Sequence, residues 1–256
     1  MPNALKEKLD RDEVVVGAAI VHPIPSAIEN MGDGWDWVWI DRQHGQQDYR
    51  TMLECTRVAD SFGVAPIVRT PGHEYCLLGP IMDARPAGIL IPMVDTPEQA
   101  RALVEATRFP PLGHRSIGSR RAIALQGRDY AGSANEDLLL IVQIETAVGV
   151  ANAEAIAATE GVNGMLMGAV DLKLSMDIPL STPNQECKEL QEAKEAVVRA
   201  ARNAGKFAGD IAAGPVEQVK QAVEMGFRML LTCSDTSLLM PAAQKRFEEL
   251  SEALGK

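Results

Sequence analysis

Short runs rich in Val, Ile and Leu recur along the chain, and each is followed by residues patterned as a helix. The first run is Val14–Ala19, with a helix expected from about Ser26. Trp37–Ile40 comes next, closed by Asp41, and predicts a helix from Asp48 to Ser61. Ala65–Val68 is closed by Arg69 and leads to a helix from Glu74 to Ala84. Gly88–Ile91 is closed by Pro92 and leads to one from Pro97 to Ala106. A segment rich in Pro, Gly and Arg, from Arg108 to Asn135, interrupts the rhythm. It resumes with Leu138–Ile144, Gly164–Met167, Lys206–Gly209 and Arg228–Thr232, and a helix from Asp235 to Leu254 ends the chain.

Strands this uniformly apolar belong to a parallel sheet buried on both faces, and strands alternating with helices call for the same arrangement. Eight such units in 256 residues match an α/β (β/α)8 TIM barrel, for which about 250 residues is typical. No linker divides the chain, so residues 1–256 are expected to form one domain. A doubly wound open sheet is the competing arrangement. It loses weight because no Gly-x-Gly-x-x-Gly follows the first run and no P-loop is present. In a barrel the C-terminal strand ends converge on one mouth, where loops build the site. Asp41, His44, Arg69, Glu145, Asp171 and Asp210 all fall at or just past such ends.

These residues suggest a division of labour. Leu140–Thr146 and Gly164–Asp171 each deliver a carboxylate, Glu145 and Asp171, to the same rim. Two acids there suit a hard divalent cation such as magnesium or manganese, with positions left for a chelating substrate. Either acid alone reads equally well as a first-turn residue favoured by its helix dipole. The backbone N–H groups of Gly168, Ala169 and Val170 offer a cradle for a substrate carboxylate. His44 sits in a glycine-containing loop as a candidate base, and Asp41 is placed to bond one ring nitrogen and fix the tautomer; a surface histidine beside a turn is the plain alternative. Arg69 ends a buried run, so its permanent charge meets either an anion or a salt-bridge partner. His22 follows the first strand, and His73 and His114 lie in Gly- and Pro-rich loops, as weaker candidates. A Schiff-base mechanism needs a lysine inside the barrel, and neither Lys173 nor Lys206 is well placed for one. Arg115, Arg120, Arg121 and Arg128 suit a lid, an oligomer contact or a solvated loop.

Composition narrows the partners. A net charge of −10 argues against nucleic acid, which favours a basic face, but leaves anionic small molecules open. Aromatic residues make up only 4% of the chain, so the core rests on Leu, Ile, Val, Ala and Met. Cys55, Cys76, Cys187 and Cys233 lack paired spacing, which disfavours a zinc cluster or disulfide framework. The charged N-terminus lacks the apolar core of a signal peptide, and no apolar run approaches the roughly 20 residues of a membrane span. A cytoplasmic, non-membrane protein with reduced thiols is expected.

Five segments in order carry a resemblance: Trp37–Gly45, Pro66–Arg69, Ile91–Val94, Val142–Thr146 and Gly168–Leu172. Together they resemble the metal-dependent pyruvate aldolases of the HpcH/HpaI aldolase family, over nearly the whole chain. The resemblance implies that Glu145 and Asp171 bind a divalent cation (Mg2+, Mn2+ or Co2+) and that His44, oriented by Asp41, is the base. It implies that Arg69 holds the keto or enolate oxygen, while Gln143 and the Gly168–Ala169–Val170 backbone place pyruvate. It implies reversible aldol cleavage of a 4-hydroxy-2-oxo acid, in a hexamer built as a dimer of trimers. There the final helix packs on a neighbouring barrel, and Asp83 reaches an adjacent subunit's site. The chain departs from the family pattern at Gln43, where Glu is usual, at Ala169, where Pro is usual, and at Arg85, where Gly is usual. Its first strand ends Ala18–His22 without the usual tryptophan. Rival readings are another lyase or decarboxylase of a 2-oxo acid, and a non-catalytic oxo-acid-binding oligomer.

Overall fold

The computed structural model describes residues 3–256. Eight strands, all parallel to their neighbours, close into a barrel in chain order: β1 (Val15–Ile20), β2 (Trp37–Asp41), β3 (Ala65–Arg69), β4 (Gly88–Ile91), β5 (Leu139–Ile144), β6 (Gly164–Met167), β7 (Phe207–Ile211) and β8 (Met229–Ser234). The (β/α)8 expectation therefore holds and the open sheet is excluded, since β8 pairs back onto β1. The two last strands extend two residues past their predicted ends.

Alternation along each strand divides the core in two. Trp37, Trp39, Ile67, Leu90, Leu166 and Phe207 belong to the cluster inside the barrel, while Val38, Ile40, Val68, Ile89 and Ala208 pack outward under the helices. The interior is filled by pairing very small with very large residues. Gly17 stands opposite Trp37, and a Cβ on Gly17 would lie 2.3 Å from the indole. The N-terminal helix Ala4–Asp10 contributes Leu5 and Leu9 to the inner cluster and closes the end opposite the mouth. Asn3 fastens it there, donating to the carbonyls of Ala87 and Asp137 at 2.7 Å each.

The 108–135 interruption holds one short helix, Arg120–Gln126, and most of a second, Ala131–Asp137, which runs two residues past it. Phe109, Ala122 and Tyr130 give it a small core of its own. Arg108 pins it to the barrel by donating to the carbonyls of Asn135, Leu138 and Gly161 and to Asn163 Oδ1, at 2.6 to 2.9 Å. Two of the arginines considered for a lid are structural: Arg115 lies over the Phe109 ring, and Arg121 donates to the Ala84 carbonyl. The final helix, Asp235–Leu254, buries none of its residues; Leu239, Met240 and Phe247 are each about two-thirds exposed. Among the described residues, no helix is long and apolar enough to cross a membrane.

Candidate active site

Inward parity brings Asp41, Arg69 and Gln143 to the top of the barrel from β2, β3 and β5, with Glu145 just beyond β5. Arg69 spans to Asp41 in a two-pronged pair, Nε to Oδ1 at 2.9 Å and Nη2 to Oδ2 at 2.6 Å. Trp39, two residues before Asp41 and on the same face, lies under the guanidinium at 4.7 Å. Asp41 Oδ1 also accepts the backbone N–H groups of Gln43 and His44. Burial alone would raise the Asp41 carboxyl, but the Arg69 hydrogen bonds and charge, with those N–H groups, hold it below the usual carboxylate range.

One expectation is corrected here. Asp41 does not orient the imidazole of His44; its oxygens are taken by Arg69 and by the loop backbone. It shapes the loop that carries His44 and aims Arg69. His44 itself is exposed at the rim.

Glu145 is buried at 2% exposure and held from two sides. Its Oε1 accepts the Met93 N–H at 2.7 Å, and its Oε2 accepts from Gln143 Nε2 at 2.5 Å. Met93 has φ +55°, a left-handed conformation that costs a non-glycine residue free energy and concentrates at functional sites; here it turns the N–H onto the carboxylate. Burial pushes the Glu145 carboxyl up to about 7, opposed by the Met93 N–H and reinforced by the nearby Asp171. Asp171 is exposed, in the first turn of the helix Ala169–Ser175 that springs from β6.

Gly168 lies between the two acids. A Cβ there would stand 2.6 Å from Glu145 Oε2 and 2.8 Å from Gln143 Nε2, so only glycine lets β6 pass this close. Its own N–H is spent on the Ile144 carbonyl at 3.0 Å. The first-turn N–H groups of Ala169 and Val170 remain without intrahelical partners. Gln143, 1% exposed, leaves its Oε1 buried without a hydrogen-bond partner, as does Gln43.

Other sequence candidates lie elsewhere. Asp210 faces outward from β7, 1% exposed, and pairs with Lys194 at 2.6 Å under the helices, so it takes no part in the mouth. Lys173 donates to the carbonyls of Leu180 and Thr182, and Lys206 to that of Thr159, which keeps both outside the barrel. His73 Nε2 contacts the Pro92 carbonyl at 2.6 Å. Asp83, at the C-terminal end of its helix, lies far from this chain's own mouth, 3.6 Å from Arg115. Residues not singled out from the sequence also shape the site. Met93 and Trp39 are two, and Asp95 is a third, held by Thr146 Oγ1 near Glu145. Trp39 was within reach, because it shares the face of Asp41 at a spacing of two.

Comparison with known proteins gives a consistent picture. The family model described as HpcH/HpaI aldolase/citrate lyase matches residues 25–242. The chain is 38% identical over 216 residues to a hydroxypyruvate/pyruvate aldolase of Deinococcus radiodurans, covering 83% of this chain and 76% of that protein. It is 32% identical over 250 residues to a 2-keto-3-deoxy-L-rhamnonate aldolase of Salmonella schwarzengrund, covering 96% and 92%. The crystal structure of a family protein from Burkholderia cenocepacia superposes with a TM-score of 0.88 at 31% identity, covering 97% of this chain and 99% of that one.

Proposed function

Since the chain belongs to the HpcH/HpaI aldolase/citrate lyase family, we propose that it is a divalent-metal-dependent pyruvate aldolase. It cleaves a 4-hydroxy-2-oxo acid reversibly to pyruvate and an aldehyde. The observation that carries the metal site is the buried Glu145 carboxylate beside an unpartnered Gln143 oxygen, packed against the bare Cα of Gly168, with Asp171 on the adjoining turn. This all-oxygen donor set fits a hard divalent ion. Glu145 and Asp171 would hold Mg2+, Mn2+ or Co2+, which when bound supplies a Lewis acid for the 2-oxo group and for the negative charge that develops there.

The chain's own residues do the rest. Arg69 keeps Nη1 free of the Asp41 pair and directs it at the 2-oxo oxygen. A fixed cation aimed where charge develops requires no reorganisation during the reaction. His44 takes the proton of the 4-hydroxyl, the C3–C4 bond breaks, and its electron pair passes into the enolate of pyruvate while the aldehyde departs. C3 then accepts a proton. The free N–H groups of Ala169 and Val170 receive the substrate carboxylate.

Pyruvate alone tests this reading. In D2O with Mn2+ the enzyme is expected to exchange the C3 protons, followed by NMR, and chelation or Glu145→Ala is expected to stop the exchange. Exchange that survives both treatments contradicts the assignment. Gly168→Ala adds a methyl group where Glu145 and Gln143 leave no room. It is expected to weaken Mn2+ binding by about 10- to 100-fold, as loss of supporting groups around a metal does, read from free Mn2+ by electron paramagnetic resonance.

The assembly completes the proposal. The exposed Leu239, Met240 and Phe247 of the final helix seat on a neighbouring barrel in a hexamer arranged as a dimer of trimers, and Asp83 approaches an adjacent subunit's mouth. The location is the cytoplasm, in keeping with four unpaired cysteines.

A further inference from the structure

A histidine–carboxylate dyad does exist at the mouth, and it belongs to His22. This residue follows β1, and its Nδ1 lies 3.1 Å from Asp235 Oδ2. The Asp235 side chain, 10% exposed, also accepts the backbone N–H groups of Val21, His22 and Thr236. A carboxylate fixed this way only accepts, so the hydrogen of the neutral imidazole sits on Nδ1 and Nε2 presents a lone pair. Among the described residues, no hydrogen bond uses that lone pair, and the side chain is 38% exposed.

The position is defined by the loop carrying His44. Gln47 Nε2 donates to the His22 carbonyl at 2.6 Å, and the Gln46 N–H donates to the Val21 carbonyl at 2.9 Å. The end of β1 is therefore laced to the His44 loop. In the ring of eight strands, β1 stands opposite β5, which brings in Glu145. A 2-oxo acid held at its carboxyl end by the β5–β6 side, with its 4-hydroxyl at His44, extends its remaining carbons toward β1.

We propose that His22, positioned by Asp235, selects the aldehyde by accepting a hydrogen bond from a hydroxyl on the carbon next to the aldehyde carbonyl. The enzyme then favours 2-hydroxyaldehydes over their deoxy counterparts. The inference rests on the aldolase reading above and adds the class of the second substrate.

Aldol addition of pyruvate to glycolaldehyde, and to propanal, in which a methyl group replaces the hydroxyl, tests it at fixed Mn2+. Wild-type enzyme is expected to show a higher kcat/KM for glycolaldehyde. His22→Ala is expected to lower that value about tenfold, the worth of one hydrogen bond, and to change propanal less than about twofold. His22→Gln, which keeps an acceptor, is expected to recover part of the preference, and Asp235→Asn to reduce it. Equal losses for both aldehydes, an unchanged ratio in His22→Ala, or a wild-type enzyme indifferent to the hydroxyl overturns the role of His22 while leaving the aldolase reading intact. No product from wild type with either aldehyde overturns both.

Discussion

Arg69→Met is expected to lower kcat for aldol cleavage by about 10²- to 10³-fold, the usual loss when a charge-stabilising donor is removed. It is also expected to lower folding stability by about 3–5 kcal/mol. Both effects follow from one geometry. Arg69 satisfies both oxygens of Asp41, whose side chain is 6% exposed, and methionine leaves that carboxylate buried with only two backbone donors. Arg69→Lys is expected to recover little, since an ammonium does not reproduce the planar fork. The pH dependence has a definite sign. In the wild type the folded Asp41 carboxyl lies below its ordinary value, so its contribution is complete above about pH 4 and fades as pH falls through the lowered value. In Arg69→Met, burial without the guanidinium reverses this, and the deficit is expected to be largest near neutrality and to shrink on acidification. Urea midpoints at pH 7 and pH 5 measure both; a variant as stable as wild type at pH 7 refutes the pairing argument.

The second large effect lies on the barrel's outer layer. Lys194→Met is expected to cost about 3–5 kcal/mol, because Asp210 is then buried without its partner. The pair measures 2.6 Å with side-chain exposures of 12% and 1%, and Asp210 Oδ1 already lacks a hydrogen bond. Adding Asp210→Leu is expected to restore stability to wild type or above, as replacing a whole buried pair by apolar residues often does. Because the pair lies under the helices, kcat/KM in the double variant is expected to stay within about twofold. A double variant weaker than Lys194→Met alone contradicts this account.

Asp210 also marks where sequence reading stopped. Eight strands and their order were legible because buried parallel strands leave unbroken apolar runs. Whether a polar residue faces the mouth or the helices depends on strand parity, however. The predicted end at Gly209 put Asp210 outside β7, whereas the strand continues and turns it outward. Glu145, Asp171 and Arg69 were recognisable from their strand-end positions. The partner of Asp41 was not, because a local spacing of three to His44 suggested one contact while the fold made another across 28 residues with Arg69. The left-handed Met93 carries no composition signal, and the dyad of His22 with Asp235 joins positions 213 residues apart.

The Gly17–Trp37 pairing restricts how this lineage can change. A side chain at position 17 has no room unless the indole opposite is trimmed, and trimming the indole alone leaves a void. Each one-step route between alternative fillings passes through an unstable intermediate, so the two sites are expected to drift together among descendants, visible as correlated substitution.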